Sequence, residues 1–175
     1  MGLTTLITGG CRSGKSRQAL VLAKGISGYK VFVATAEARD EEMKERIARH
    51  RKERGGEWET VEEPVDLVHT FQRLENQKGV VVLDCLTLWI SNLMLRGDSS
   101  ENILNEAGRL EEQLKRMPCE TVIITNEVGS GIVPENSLAR EFRDLAGEIN
   151  QRFAASCDRV IHMVAGIAMN LKSGK

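Results

Sequence analysis

Residues Gly9–Ser16, GGCRSGKS, decide how this chain is read. Gly9, four further residues and then Gly14-Lys15-Ser16 complete the phosphate-binding pattern G-x-x-x-x-G-K-[ST]. The context agrees. Leu3 to Thr8 (LTTLIT) is a short apolar, β-branched run of strand character, and Arg17 to Lys24 (RQALVLAK) reads as a helix with an apolar face at Leu20, Val21 and Ala23. In such a loop successive backbone N–H groups converge at the positive end of the following helix, where phosphate oxygens can sit. Gly9, Gly10, Cys11, Arg12, Ser13, Gly14, Lys15 and Ser16 are therefore the expected nucleotide contacts. Lys15 is expected at the terminal phosphates, and the Ser16 hydroxyl on Mg²⁺. A plain glycine-rich turn, with Ser13 as cap and Lys15 in solvent, is the alternative; the complete pattern in its proper context favours phosphate.

Outward from the loop, apolar strands alternate with amphipathic helices. Lys30 to Thr35 (KVFVAT) is the second strand, and Asp40 to Arg54 is a charged helix, acidic first and basic last, stopped by Gly55-Gly56. Trp58 to Val61 is a short strand. Pro64 opens a helix over Val65 to Leu74 as a first-turn proline. Gly79 to Asp84 (GVVVLD) is continuously apolar, as a parallel strand covered on both faces must be. Helices over Leu86 to Leu95 and Glu101 to Met117, a strand over Thr121 to Thr125, a long loop Asn126 to Asn136 and a helix over Ser137 to Ser156 follow. Arg159 to Val164 (RVIHMV) is expected to be the last strand. The pattern implies one α/β domain over residues 1–175 of the P-loop NTPase type, a mostly parallel sheet flanked by helices.

Composition narrows the function. Hydrophobic residues make up 41% and charged residues 28%, ordinary for a globular domain, and a net charge of −1 gives no electrostatic case for nucleic acid or an anionic membrane. No segment approaches the ~18 apolar residues of a membrane span, so no membrane insertion is expected. Cys11, Cys85, Cys119 and Cys157 form neither a C-x-x-C pair nor a Cys/His cluster, which suits a reducing cytoplasm. Cys11 reads as a small residue in a variable loop position, with a reactive thiol at a helix N-terminus as the alternative.

Asp84, at the carboxyl end of GVVVLD, reads as the acid that holds Mg²⁺, directly or through water; a helix N-cap is the other reading. His50 lies three residues after Ile47 and seven after Met43, and so shares their helix face. Around it stand Arg46, Arg49, Arg51, Lys52 and Arg54. A neutral imidazole among cations that attract polyphosphate can act as a nucleophile; the spacing alone favours the plainer reading, a histidine at a helix C-terminus beside a solvated basic face. His69, His162, Trp58 and Trp89 read as structural. Glu62 and Glu63 are candidates to meet a base or ribose. The strand-end Asn126 is not followed by an N-K-x-D box, and the one D-x-x-G, Asp144 to Gly147, falls inside a helix. Both features disfavour a switch GTPase.

Taken together, TGGCRSGKS (Thr8 to Ser16), FVATAEARDEEMKERIARHRKER (Phe32 to Arg54), WETVEEP (Trp58 to Pro64) and TNEVGSGIVPENSLAREFRDLAGEINQRFA (Thr125 to Ala154) resemble one family. That family is the bifunctional adenosylcobinamide kinase and adenosylcobinamide-phosphate guanylyltransferase of cobalamin nucleotide-loop assembly. The resemblance covers nearly the whole chain and implies two reactions. ATP or GTP phosphorylates the aminopropanol hydroxyl of adenosylcobinamide. GTP then guanylylates a histidine, and the GMP passes to adenosylcobinamide phosphate. His50 falls on the family's guanylylated histidine, which with Lys15 makes the implied catalytic pair. Ala34, Thr35, Ala36, Arg51, Lys52, Glu53, Arg54, Glu62 and Asp84 fall on positions used around the nucleotide, and Ser16 and Asp84 on the metal positions. The resemblance also implies a homo-oligomer, a trimer. A monofunctional P-loop kinase of another small alcohol and a non-catalytic nucleotide-binding module are the rival readings. Dispensability of His50 marks the first; GTP binding without any group transfer marks the second.

Overall fold

The apolar runs all enter one sheet. In the computed structural model, which describes residues 2–38 and 40–173 apart from the side chains of Arg46 and Glu53, the elements follow in this order: β1 (Thr4–Gly9), α1 (Lys15–Lys24), β2 (Tyr29–Ala34), α2 (Glu41–Arg54), β3 (Glu59–Glu62), α3 (Leu67–Arg73), β4 (Gly79–Asp84), α4 (Leu86–Arg96), α5 (Ser100–Arg116), β5 (Glu120–Ile124), α6 (Ser137–Ser156), β6 (Arg159–Val164) and β7 (Ile167–Lys172). The strand order is β3-β2-β4-β5-β1-β6-β7. The first six strands pair in parallel, and β7 closes the edge antiparallel to β6. The α/β expectation of a mostly parallel, helix-flanked sheet is met.

Period-two alternation sends each strand's apolar side chains to two cores. Val31, Val33, Val81, Leu83 and Ile123 meet α3, α4, α5 and α6, with Phe71, Trp89, Leu110 and Phe153 filling the layer. Phe32, Val80, Val82, Val122 and Ile124 face the other way, where Ala19 and Ala23 of α1 pack on them. Each fully buried large side chain contributes about 1.5–3 kcal/mol, so four helices on one face carry most of the stabilisation. Helix α2 is different: among the described residues it supplies none to either core. Lys172, from β7, donates to the carbonyls of Ala155 (2.8 Å) and Cys157 (2.5 Å), and so closes the end of α6, which has no basic residue of its own in its last turn.

Three expectations need correction. Helix α1 begins at Lys15, directly after Gly14 at φ 96°, rather than at Arg17. Helix α3 begins at Leu67; Asp66 caps it by accepting from His69 N–H at 3.2 Å, and Pro64 precedes the helix instead of opening it. An aspartate cap outranks a proline two residues earlier, because it satisfies an otherwise orphaned amide. RVIHMV is not the last strand. Ala165 (φ 50°) and Gly166 (φ 83°) form a two-residue turn of the hairpin kind, and IAMNLK returns as β7.

Candidate active site

Parallel pairing brings the carboxyl ends of β1, β4 and β5 side by side, and the phosphate loop lies there. Gly9 (φ 151°) leaves no room for a side chain, since an added Cβ would stand 2.5 Å from the Met163 carbonyl oxygen. Gly10, Cys11 and Arg12 are exposed, Arg12 at φ 54°. Ser13 does not cap α1: its N–H donates to Gly10 O at 3.3 Å, and its buried hydroxyl has no partner among the described residues. The Gly166 amide donates to Ser13 O at 3.0 Å, so the β6–β7 turn braces the loop from the far side. Lys15 is only 7% exposed, and its ammonium donates to Gly9 O (3.0 Å) and Gly10 O (2.6 Å). It is held over its own loop rather than free in solvent.

Ser16 Oγ donates to Asp84 Oδ2 at 2.7 Å. Asp84 does not cap α4; that position is taken by Cys85, without a side-chain hydrogen bond. A hydroxyl and a carboxylate this close form half of a hard-oxygen donor set suited to Mg²⁺, which completes its octahedron with phosphate and water. No group of three or more His, Cys, Asp or Glu ligands exists among the described residues. The donor chemistry therefore fits a nucleotide-bound Mg²⁺ and not an all-protein metal cage.

Helix α2 carries the second cluster. Met43, Ile47, His50 and Arg54 are half-buried, while the other described side chains of the helix are exposed. His50 thus lies on the inward stripe its spacing predicts. One turn further on, the Arg54 guanidinium sits 3.9 Å from the centroid of the Phe32 ring, which Trp58 meets edge-on at 6.1 Å. Burial lowers the pKa of Arg54, and the opposing pull comes first from Asp84. That coupling ties the end of α2 electrostatically to the Ser16–Asp84 corner. Arg51 faces Glu62 at 3.7 Å, both exposed, and Lys52 is exposed. The Glu53 side chain lies outside the described residues.

Of the β2 segment, Ala34 and Ala36 are half-buried, and Thr35 is fully buried. Its hydroxyl donates to Cys85 O and accepts from Cys85 N–H, both at 2.8 Å; its N–H donates to Asp84 O at 3.0 Å, and its carbonyl accepts from Asn92 Nδ2 at 2.8 Å. Thr35 shapes the site from beneath. Glu63 also turns inward, accepting from the amides of Val65 (2.9 Å) and Asp66 (2.7 Å) to form the bend into α3. Trp89 packs as expected, its indole donating to Val65 O at 2.8 Å. Cys85 is inert: burial, with Asp84 alongside, pushes its thiol up to about 12. Cys11 is the exposed cysteine among the described residues.

Motif reading missed a polar layer behind the loop. Thr87 and Thr125 hydroxyls meet at 3.1 Å, Thr125 donates to Asn150 Oδ1 at 2.7 Å, and Asn150 returns to Asn126 O at 3.1 Å. Its signal in the sequence is polar residues where an apolar strand ends. A separate groove of about 570 Å³ between α3, α4 and α5, lined by Asp66, His69, Arg96 and Arg109 among others, contains no residue of the phosphate loop.

Against known proteins, the model of the cobinamide kinase / cobinamide phosphate guanyltransferase family (CobU) matches residues 5–171. The bifunctional adenosylcobalamin biosynthesis protein CobP of Pseudomonas aeruginosa is 44% identical over 168 residues, 95% of this chain and 96% of that one. The bifunctional adenosylcobalamin biosynthesis protein CobU of Escherichia coli is 41% identical over 179 residues, covering 95% and 98%. Among solved structures, an ATPase of a bacterial type III secretion system superposes with a TM-score of 0.61 at 12% identity, over 97% of this chain and 57% of that one, a likeness of fold alone. With a family match from one end of the sheet to the other and two full-length relatives above 40% identity, the chain belongs to the cobinamide kinase / cobinamide phosphate guanyltransferase family.

Proposed function

We propose that this protein phosphorylates adenosylcobinamide with ATP or GTP and then guanylylates the product through a covalent GMP on His50. The observation that carries the histidine reading is the half-buried stripe Met43–Ile47–His50–Arg54, whose last member lies within electrostatic reach of Asp84. In the guanylyl half-reaction an imidazole nitrogen attacks the α-phosphorus of GTP. The P–N bond forms as the α–β bridging bond breaks, and pyrophosphate leaves. A phosphate oxygen of adenosylcobinamide phosphate then attacks the same phosphorus, and the P–N bond breaks. In the kinase half-reaction the aminopropanol hydroxyl attacks the γ-phosphorus instead.

The chain's own residues divide this work. The loop amides of Gly9 to Ser16 and the Lys15 ammonium hold the polyphosphate in line for both attacks. Ser16 and Asp84 would hold Mg²⁺, which when bound neutralises charge on the phosphate oxygens. Arg54, half-buried and stacked on Phe32, adds fixed positive charge near the reacting phosphates. Because no described residue of α2 belongs to either core and the helix ends at Gly55 (φ 79°), it can swing to bring His50 to the α-phosphorus.

Two further parts of the reading concern the molecule's surroundings. Val164, Ile167, Met169 and Leu171 are exposed along the β6–β7 edge, an apolar face that supports a homo-oligomer; the trimer is what the family resemblance implies. Unpaired cysteines suit the cytoplasm, and no helix among the described residues is long and apolar enough to cross a membrane.

The deciding experiment incubates the protein with Mg²⁺ and GTP labelled at the α-phosphate, without corrinoid. Acid-labile, alkali-stable label on the protein, absent from His50→Ala, is the expected result. No covalent label alongside intact phosphorylation of adenosylcobinamide would reduce the protein to a kinase.

A further inference from the structure

The strand between the phosphate loop and Asp84 delivers a carboxylate that the assignments above leave unused. Strand β5 pairs with β1 on one side and with β4 on the other, and Glu127 is the third residue beyond its end. The Glu127 N–H donates to Gly9 O at 3.0 Å. Lys15 Nζ donates to that same oxygen, also at 3.0 Å. One carbonyl thus fixes both the lysine that addresses the terminal phosphate and the backbone of Glu127.

The side chain is held as well. Its Oε1 accepts from the Gly129 amide at 2.6 Å, and an added Cβ at Gly129 would stand 2.9 Å from that oxygen. Glu127 is half-buried, and among the described residues no cation pairs with it. The other strand-end carboxylates are engaged differently. Asp84 accepts from Ser16, Glu62 faces Arg51 at the far β3 edge, and Glu63 is locked in the bend before α3.

The two half-reactions differ in what they ask of a base. In the guanylyl transfers the nucleophiles are an imidazole and a phosphate anion, which bring lone pairs without losing a proton. The kinase acceptor is an alcohol, whose proton must go somewhere as its oxygen attacks. We infer that Glu127 is the general base of the kinase half-reaction. The alcohol oxygen bonds to the γ-phosphorus, the bond to the β–γ bridging oxygen breaks, the nucleoside diphosphate leaves with that electron pair, and the proton passes to the Glu127 carboxylate. This rests on the nucleotide placement proposed above, with the terminal phosphate at Lys15.

The test compares Glu127→Gln, Glu127→Asp and Lys15→Ala with the unmodified protein, each supplied separately with adenosylcobinamide and with adenosylcobinamide phosphate. Glu127→Gln is expected to lower phosphorylation about 10²-fold or more while leaving guanylylation of the phosphate acceptor within about twofold. Glu127→Asp is expected to recover part of the lost rate. In the unmodified protein the pH profile of kcat/KM for phosphorylation should carry an acidic limb, which Glu127→Gln flattens. This profile needs no variant to fold. Full phosphorylation by Glu127→Gln, equal loss of both half-reactions, or no acidic limb would each overturn the inference. Lys15→Ala separates the two levels: if it phosphorylates normally, the nucleotide placement fails first.

Discussion

Ser16 Oγ and Asp84 Oδ2 lie 2.7 Å apart although 68 residues separate them in the chain. The pair joins the first turn of α1 to the end of β4, and it exists because β5 alone stands between β4 and β1. Both half-reactions use a polyphosphate, so both depend on this corner. Asp84→Asn is expected to reduce phosphorylation and guanylylation together, by roughly 10²-fold or more, and to raise the Mg²⁺ concentration needed for half-maximal rate. Rates measured across a Mg²⁺ titration check this; an unchanged Mg²⁺ requirement would argue that Asp84 is a structural partner of Ser16 only.

Arg54 separates catalysis from stability. Its guanidinium lies 3.9 Å from the Phe32 ring centre, yet no described residue of its helix belongs to either core. Arg54→Ala is expected to slow formation of the guanylyl-enzyme by about 10-fold to 10²-fold while lowering Tm by no more than about 2–4 °C. Arg54→Lys should not restore the rate, because an ammonium does not reproduce a planar guanidinium stacked on a ring. A large fall in Tm would show that α2 is more firmly packed than its half-buried stripe implies.

Thr35 is placed to hold Asp84 and Cys85. Thr35→Val keeps the shape but removes the hydroxyl that satisfies both the N–H and the C=O of buried Cys85. The expected cost is about 1–3 kcal/mol of stability, accompanied by a fall in both half-reactions. Thr35→Ser should keep most of each. Denaturant titration beside the two rates tests this, and a stable, fully active Thr35→Val would refute the positioning role.

Asp158 supplies a pH-dependent tie between the sheet and the α6–β6 turn. The Thr4 amide first, and its hydroxyl second, donate to the carboxylate at 2.8 and 2.7 Å and hold its pKa below the ordinary range. A carboxylate with a depressed folded value stabilises above its unfolded value, near pH 4, and loses that contribution as pH falls through the folded value. Asp158→Asn should therefore melt below the unmodified protein at pH 7, and the gap should narrow below about pH 4. A constant gap across a pH series of melts would show that the carboxylate's charge is not what matters.

The sequence by itself determined the parts that are local. A complete phosphate-loop pattern between a strand and a helix, continuous apolar runs for doubly covered strands, and a helical period that sets His50 on the face of Ile47 and Met43 all depend on near neighbours, and the fold bears each of them out. Where caps compete, local reading slipped: Asp66 rather than Pro64 starts α3, because only the aspartate satisfies an amide. Strand β7 escaped notice because every residue of it is exposed, so its alternation of Ile167, Met169 and Leu171 has no buried face to announce it. Only the tertiary structure decided what depends on strand order. Placing β5 between β4 and β1 sets Ser16 against Asp84 and fastens Glu127 to the carbonyl that holds Lys15. It also makes Thr35 a buried clasp on Cys85. Pairing between distant strands is chosen by how the whole chain shares its two cores, and no window of sequence contains that choice.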